Sequence, residues 1–141
     1  MEMREITERY AVAPQIDPAD APEIAAEGVT LVICNRPDEE VPPSHQAAEL
    51  EKAVRAAGME FAALPLTHQT MTPENAAKQA ELVEAAGGKV LAYCASGTRC
   101  SVAWALGQAG ARPTDEILSM TARAGYMLDG LRPTLEAMAR G

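Results

Sequence analysis

Three short, nearly continuous apolar runs recur along the chain: Val29–Cys34, Met59–Leu64 and Lys89–Tyr93. Runs of this length without strict alternation are the pattern of parallel strands buried on both faces. The segments between them follow a different period. Ser44–Ala57 sets Ala47, Leu50, Val54 and Ala57 at helical spacing and stops at Gly58. Thr72-Pro73 opens a second helix that ends at Gly87-Gly88. Upstream, Arg9–Ala13 reads as a short edge strand and Pro14–Asp17 as a loop. Asp17-Pro18 then reads as N-cap and first residue of a helix reaching Glu27 before Gly28, with Asp20 and Glu23 in its first turns. Asn35–Pro43 is charged and proline-rich, hence a surface loop. Downstream, a helix from Cys100 or Ser101 to Ala109 closes at Gly110. Thr114 caps a further helix to Ala124, and Leu131–Ala139 makes the last one.

The three strand-like runs end about 30 residues apart, the length of successive βαβ units. The expectation is a single α/β domain over residues 1–141. Its layers are a mostly parallel sheet and helices on both faces. Ligands in such sheets bind beyond the carboxyl ends of the strands. The loops after Cys34, Leu64 and Tyr93 converge there.

The last of these loops carries the chemistry. In Cys94-Ala95-Ser96-Gly97-Thr98-Arg99-Cys100-Ser101, a cysteine ends a strand, a small-residue loop and an arginine follow, and a helix begins. Backbone N–H groups of such a loop converge as an anion nest, and the helix start adds unpaired N–H groups. Both stabilise a thiolate, so Cys94 is expected to have a lowered pKa and to act as nucleophile. Arg99 presents a planar fork to an oxyanion. Ala95, Ser96, Gly97, Thr98, Cys100 and Ser101 complete the anion-binding loop, with Gly97 supplying a positive φ.

Charge and composition narrow the partners. The net charge of −8 argues against nucleic acid or an anionic membrane surface as partner. No apolar run approaches a membrane span, and the N-terminus has no signal-like apolar stretch, so a cytoplasmic location is expected. Three cysteines at no metal spacing and two histidines fit a reducing compartment and no metal site. No cofactor is expected, and the sequence sets no oligomeric state.

Cys94-x-x-Gly97-x-Arg99 resembles two loops at once: the Cys-x5-Arg loop of cysteine-dependent phosphatases and the six-residue loop of rhodanese sulfurtransferases. The surrounding segments Ile33–Glu40, Leu64-Pro65-Leu66-Thr67 and Gly88–Arg99 resemble the β-lactamase-hydrolase-like, phosphatase-like domain family. Val12-Ala13-Pro14-Gln15 and Ala124-Gly125-Tyr126 fit it as well. The resemblance implies a dual-specificity-phosphatase-like fold and covers nearly the whole chain.

The residues depart from the phosphatase pattern twice. Arg99 lies five positions after Cys94 rather than six. The loop that carries the general-acid Asp in dual-specificity phosphatases reads Pro65-Leu66-Thr67-His68-Gln69. His68 or Asp38 is the available substitute, and Arg36 with Asp38 is a candidate pocket rim. Sulfur transfer through a Cys94 persulfide is therefore the leading expectation, with a small anionic or thiol substrate and a thiol or protein acceptor. Phosphoester hydrolysis through a phosphocysteine is the alternative, and a non-catalytic anion- or redox-sensing module the third reading. In phosphatases a hydroxyl just after the arginine assists thiolate departure; here Cys100 stands between Arg99 and Ser101. Cys100 reads as a resolving thiol or as a small packing residue. The resemblance also offers Cys34 as a disulfide partner of Cys94, at the position of a back-door cysteine.

Overall fold

A computed structural model describes residues 1–141. Five strands form one sheet: β1 (Arg4–Glu5), β2 (Tyr10–Ala13), β3 (Val29–Cys34), β4 (Glu60–Ala63) and β5 (Lys89–Tyr93). Their order across the sheet is β1-β2-β5-β3-β4. Only the β1–β2 pair is antiparallel. The helices are α1 (Ala21–Ala26), α2 (Ala47–Ala56), α3 (Pro73–Ala85), α4 (Thr98–Gln108), α5 (Thr114–Arg123) and α6 (Arg132–Ala139). The α/β architecture with helices on both faces is as expected from the apolar runs.

Alternation along the central strands divides the core into two layers. Tyr10, Val12, Leu31, Ile33, Val90, Ala92 and Cys94 face α3, α4, α5 and α6. Ala11, Ala13, Val32, Cys34, Leu91 and Tyr93 face α1 and α2. Both faces of β2, β3 and β5 are buried, which is why these strands read as apolar runs rather than as alternating ones.

The structure differs from the sequence reading at several element ends. β2 lies inside the sheet, not at its edge, because the short and polar β1 pairs on its outer side. The predicted first helix is split into a 3-10 turn at Pro18–Asp20 and then α1; the Asp20 carboxylate accepts the Asp17 N–H at 2.8 Å. Ser44 lies in a separate 3-10 turn, and extended Gln46 delays α2 to Ala47. Thr72 caps α3 as expected, its hydroxyl accepting the Asn75 N–H at 3.2 Å. Thr114 is the first helical residue of α5 and not its cap, since Pro113 occupies the cap position. α4 starts at Thr98, ahead of the predicted start at Cys100 or Ser101. Gly97 turns the chain directly into the helix at φ +94°, so Arg99 sits in the first turn of α4 and not in the loop before it.

Candidate active site

Cys94 directly follows β5 and is 1% exposed. Its N–H still pairs with the Ala13 carbonyl at 3.3 Å, so the sheet fixes its backbone. The chain then doubles back, and the Gly97 N–H donates to the Cys94 sulfur at 3.1 Å. The neighbouring Cys100 side chain and the backbone N–H groups of Cys100, Gly97 and Ser96 favour the charged form of the same sulfur. These donors outweigh burial and lower the Cys94 pKa from 9.0 to about 5. The expected thiolate is thereby given a cause: side-chain and backbone donors at the start of α4. Burial and the neighbouring Cys94 push the Cys100 thiol up, so it stays protonated and remains a donor.

Gly97 is required for two reasons. Its φ lies in the left-handed region, and a Cβ there would lie 2.2 Å from the Tyr126 hydroxyl. That hydroxyl donates to the Ser96 carbonyl at 3.0 Å and braces the back of the loop. The Arg4 guanidinium lies 5.7 Å from the Tyr126 ring centroid and holds the brace in turn. Within the loop, the Ser96 hydroxyl donates to that of Thr98 at 2.9 Å. Ser101 donates its hydroxyl to the Gly97 carbonyl at 2.8 Å, inside α4. Of the two side chains after the arginine, Cys100 is the one that favours the thiolate.

Arg99 is held in a fixed orientation. Its two terminal nitrogens donate to both carboxylate oxygens of Glu40 at 2.8 and 2.7 Å, and Nη1 also donates to the Leu66 carbonyl at 2.9 Å. Arg36 reaches the same carboxylate through Nε at 3.2 Å and anchors on Gln15 at 3.1 Å. Arg99 first, and then Arg36, hold the Glu40 carboxyl below its usual range, so it stays ionised. The sequence offers the run Arg36–Glu40 as a pocket rim or a solvated turn; that Glu40 is the member paired with Arg99 does not follow from it.

The other predicted residues fall in three places. His68 lines a groove together with Arg99 and Glu40. Asp38 is not at the thiolate: its carboxylate accepts the Ala47 N–H at 2.8 Å and starts α2. Cys34 faces the α1–α2 layer while Cys94 faces the other, so the strand pleat points the two thiols apart. Cys34 donates to the Arg36 carbonyl at 3.3 Å, and burial raises its pKa.

A buried polar chain ties the site to the sheet. Asn35, at the end of β3, exchanges two hydrogen bonds with Gln79 of α3 at 3.0 and 2.8 Å. Gln79 also donates to the Tyr10 hydroxyl at 3.1 Å, which donates to the Cys100 carbonyl at 2.8 Å. Asn35 reaches the Leu64 carbonyl as well, at 2.8 Å. All three side chains are essentially inaccessible to solvent. Satisfied buried networks of this kind fix relative positions more than they add net stability. Here the positions fixed are those of β2, β3, α3 and the first turn of α4. Nowhere do three His, Cys, Asp or Glu side chains gather so as to hold a metal ion. No helix is long and apolar enough to cross a membrane.

Residues 2–111 match the family described as β-lactamase hydrolase-like protein, phosphatase-like domain. A β-lactamase hydrolase-like protein of Agrobacterium fabrum is 34% identical over 104 residues, which are 74% of this chain and 24% of that protein. The chain spans between 24% and 33% of the length of the curated relatives it matches. A crystal structure from Neisseria meningitidis Z2491, of a protein provisionally described as a phosphatase, superposes with a TM-score of 0.87. It is 33% identical and covers 98% of this chain and 99% of its own. The crystal structure of PTPMT1 superposes with a TM-score of 0.77 at 16% identity, covering 99% of this chain and 94% of its own, and speaks to the fold alone. These relations support a cysteine-based, phosphatase-type enzyme. Together with the braced Cys94 loop they establish that the chain belongs to the phosphatase-like domain family of the β-lactamase hydrolase-like proteins.

Proposed function

We propose that the chain is a cysteine-dependent transfer enzyme whose Cys94 thiolate takes a sulfane sulfur from a small anionic donor and hands it to a thiol acceptor. The observation that carries this reading is a stabilised thiolate with no free carboxylic acid facing it. Glu40 is clamped as a carboxylate by Arg99 and Arg36, and Asp38 is occupied in capping α2. With thiosulfate as donor, the Cys94 thiolate attacks the outer sulfur, the S–S bond breaks, and sulfite leaves with the bonding pair. A persulfide anion remains on Cys94. An acceptor thiolate then attacks the outer persulfide sulfur and releases Cys94 as a thiolate. Neither leaving group requires a proton. Loop N–H groups hold the donor's oxygens, and Arg99 supplies the positive field at the rim.

Phosphoester hydrolysis is the second reading, and the relatives' descriptions favour it; sulfur transfer rests on the loop and its surroundings. His68 supports the second reading further, because its imidazole lines the groove beside Arg99 and is the available proton donor there. In that reaction Cys94 attacks phosphorus, the ester oxygen leaves with a proton from His68, and water hydrolyses the phosphocysteine. Intact-mass and peptide analysis of Cys94 after incubation with thiosulfate, and separately with an aryl phosphate quenched in acid, tests both. A gain of one sulfur atom on Cys94 is the expected result. A phosphocysteine with steady phosphate release overturns it in favour of the phosphatase. No adduct from either, with sulfate still bound, leaves a non-catalytic anion-sensing module.

A further inference from the structure

Beyond seating His68 at one end, the groove beside Arg99 has no task in the chemistry above. It encloses about 650 Å³ and runs between the loop that follows β4, α4 and the start of α6. Thr98, Val102 and Leu106 succeed one another at four-residue intervals on α4 and all line it. At a rise of 1.5 Å per residue this stripe extends roughly 12 Å from the anion loop down the helix. Met71 and Leu131 add apolar walls on either side. The charged groups sit at the upper end only: Arg99 in the first turn of α4, and Glu40 bonded to it. His68 follows the Leu66 carbonyl that binds Arg99, and so belongs to the same end.

We infer that this groove is a tail subsite, and that the substrate class is an amphiphilic anion. Its oxyanion or persulfide-type head meets the N–H groups of Ala95–Thr98. Its apolar chain or ring lies along α4 against Val102, Leu106 and Leu131. The orientation follows from charge complementarity. The start of α4 carries the Arg99 guanidinium and the positive end of the helix dipole, whereas the far end of the groove offers Leu106 and Leu131. A reversed ligand would place its charge against leucine. The volume is within the range of small-molecule sites, which are mostly apolar with a few placed polar groups. This inference rests on the Cys94 loop being an anion-transfer site and names what that site would accept.

Straight-chain alkanesulfonates test it, because the sulfonate head mimics an oxyanion and does not react with the thiolate. Calorimetric titration of the reduced chain is expected to show Kd tightening about twofold per added methylene, half the effect of complete burial. That amounts to a roughly hundredfold gain from methanesulfonate to octanesulfonate. Octyltrimethylammonium, with the same tail and the opposite charge, is expected not to bind. Leu131→Glu and Val102→Glu are each expected to flatten the dependence on tail length. A Kd independent of tail length in the native chain overturns the inference without recourse to any variant. So does equal binding of the ammonium compound, which would mark a merely apolar patch covered by another domain or a second copy. Tail-dependent binding in a chain that forms no Cys94 adduct supports the subsite and removes the transfer reading. An adduct with a flat series does the reverse.

Discussion

Cys34 and Cys94 end neighbouring parallel strands, and Cys34 pairs in register with Tyr93, the residue before Cys94. Both are buried, 3% and 1% exposed. Their acidities nevertheless move in opposite directions: Cys94 falls to about 5, while burial raises Cys34 above its ordinary value. What differs is the chain that follows each cysteine. After Cys94 come small residues, a glycine at positive φ and the start of α4, which return N–H groups and the Cys100 thiol to the sulfur. After Cys34 come Asn35, whose side chain turns to Gln79, and Arg36, whose carbonyl takes the Cys34 proton as an acceptor. Burial alone protects a thiol; donors converging on the sulfur make it a nucleophile.

The largest test of this contrast is substitution of each cysteine. Cys94→Ala is expected to abolish adduct formation and turnover completely, and Cys34→Ala to leave both in place, as read by mass spectrometry and steady-state kinetics. Loss of the adduct in Cys34→Ala would erase the distinction. Next in size, Arg99→Ala should lower kcat/KM by about a hundredfold to a thousandfold. Arg99→Lys should restore only part, because an ammonium cannot hold both Glu40 oxygens and the Leu66 carbonyl in the plane of a guanidinium.

Gln79→Leu probes the tie between the two strand ends. It removes the donor to the buried Asn35 side-chain oxygen and one of the two partners of the Tyr10 hydroxyl, and denaturant unfolding should show a loss of about 2–4 kcal/mol. A change within about 0.5 kcal/mol, the range of ordinary surface substitutions, would show the network to be dispensable.

The finest test is titration. The ultraviolet thiolate absorbance lost in Cys94→Ala should have its midpoint at about 5 in the native chain. Cys100→Ala should move that midpoint upward, and Cys100→Ser, which keeps a donor, should move it less. The linkage to stability has a definite sign. The folded-state pKa of Cys94 lies below its ordinary 9.0, so the thiolate's contribution is complete above pH 9 and is lost as pH falls towards 5. Native minus Cys94→Ala stability should therefore grow with pH across that window. For Cys34 the shift is upward, and its linkage runs the other way, weakening the fold as pH rises through its unfolded value.

Much of this was legible before the structure. Val29–Cys34 and Lys89–Tyr93 appear with those very bounds, since strands buried on both faces leave an unbroken apolar signature. Gly97 was legible for a local reason, a tight turn between strand and helix. Thr98-Arg99 looked like loop because both are polar, yet they form the first turn of α4. The edge position given to β2 failed because β1 is a two-residue strand with no apolar pattern of its own. The Glu40–Arg99 pairing and the role of Gln79 were illegible for a deeper reason. Arg99, which ties Glu40 to the site, lies 59 residues from it, and the partners of Gln79 are 44 and 69 away. Nothing local distinguishes Glu40 and Gln79 from a solvated carboxylate or an ordinary polar helix residue. The opposed thiols of Cys34 and Cys94 did follow a local rule, the strand pleat, but only once the register between β3 and β5 was known.

The family match ends at residue 111, but the wall behind the reactive loop is Tyr126, itself steadied by Arg4 from the other end of the chain. A peptide from Cys94 to Ser101 transplanted between a strand and a helix of another protein would carry every chemical group of the signature. It would lack the mould that keeps Gly97 folded over the sulfur. Within this chain, damage near either terminus would register first at the nucleophile, as a thiol of ordinary acidity in an otherwise folded protein.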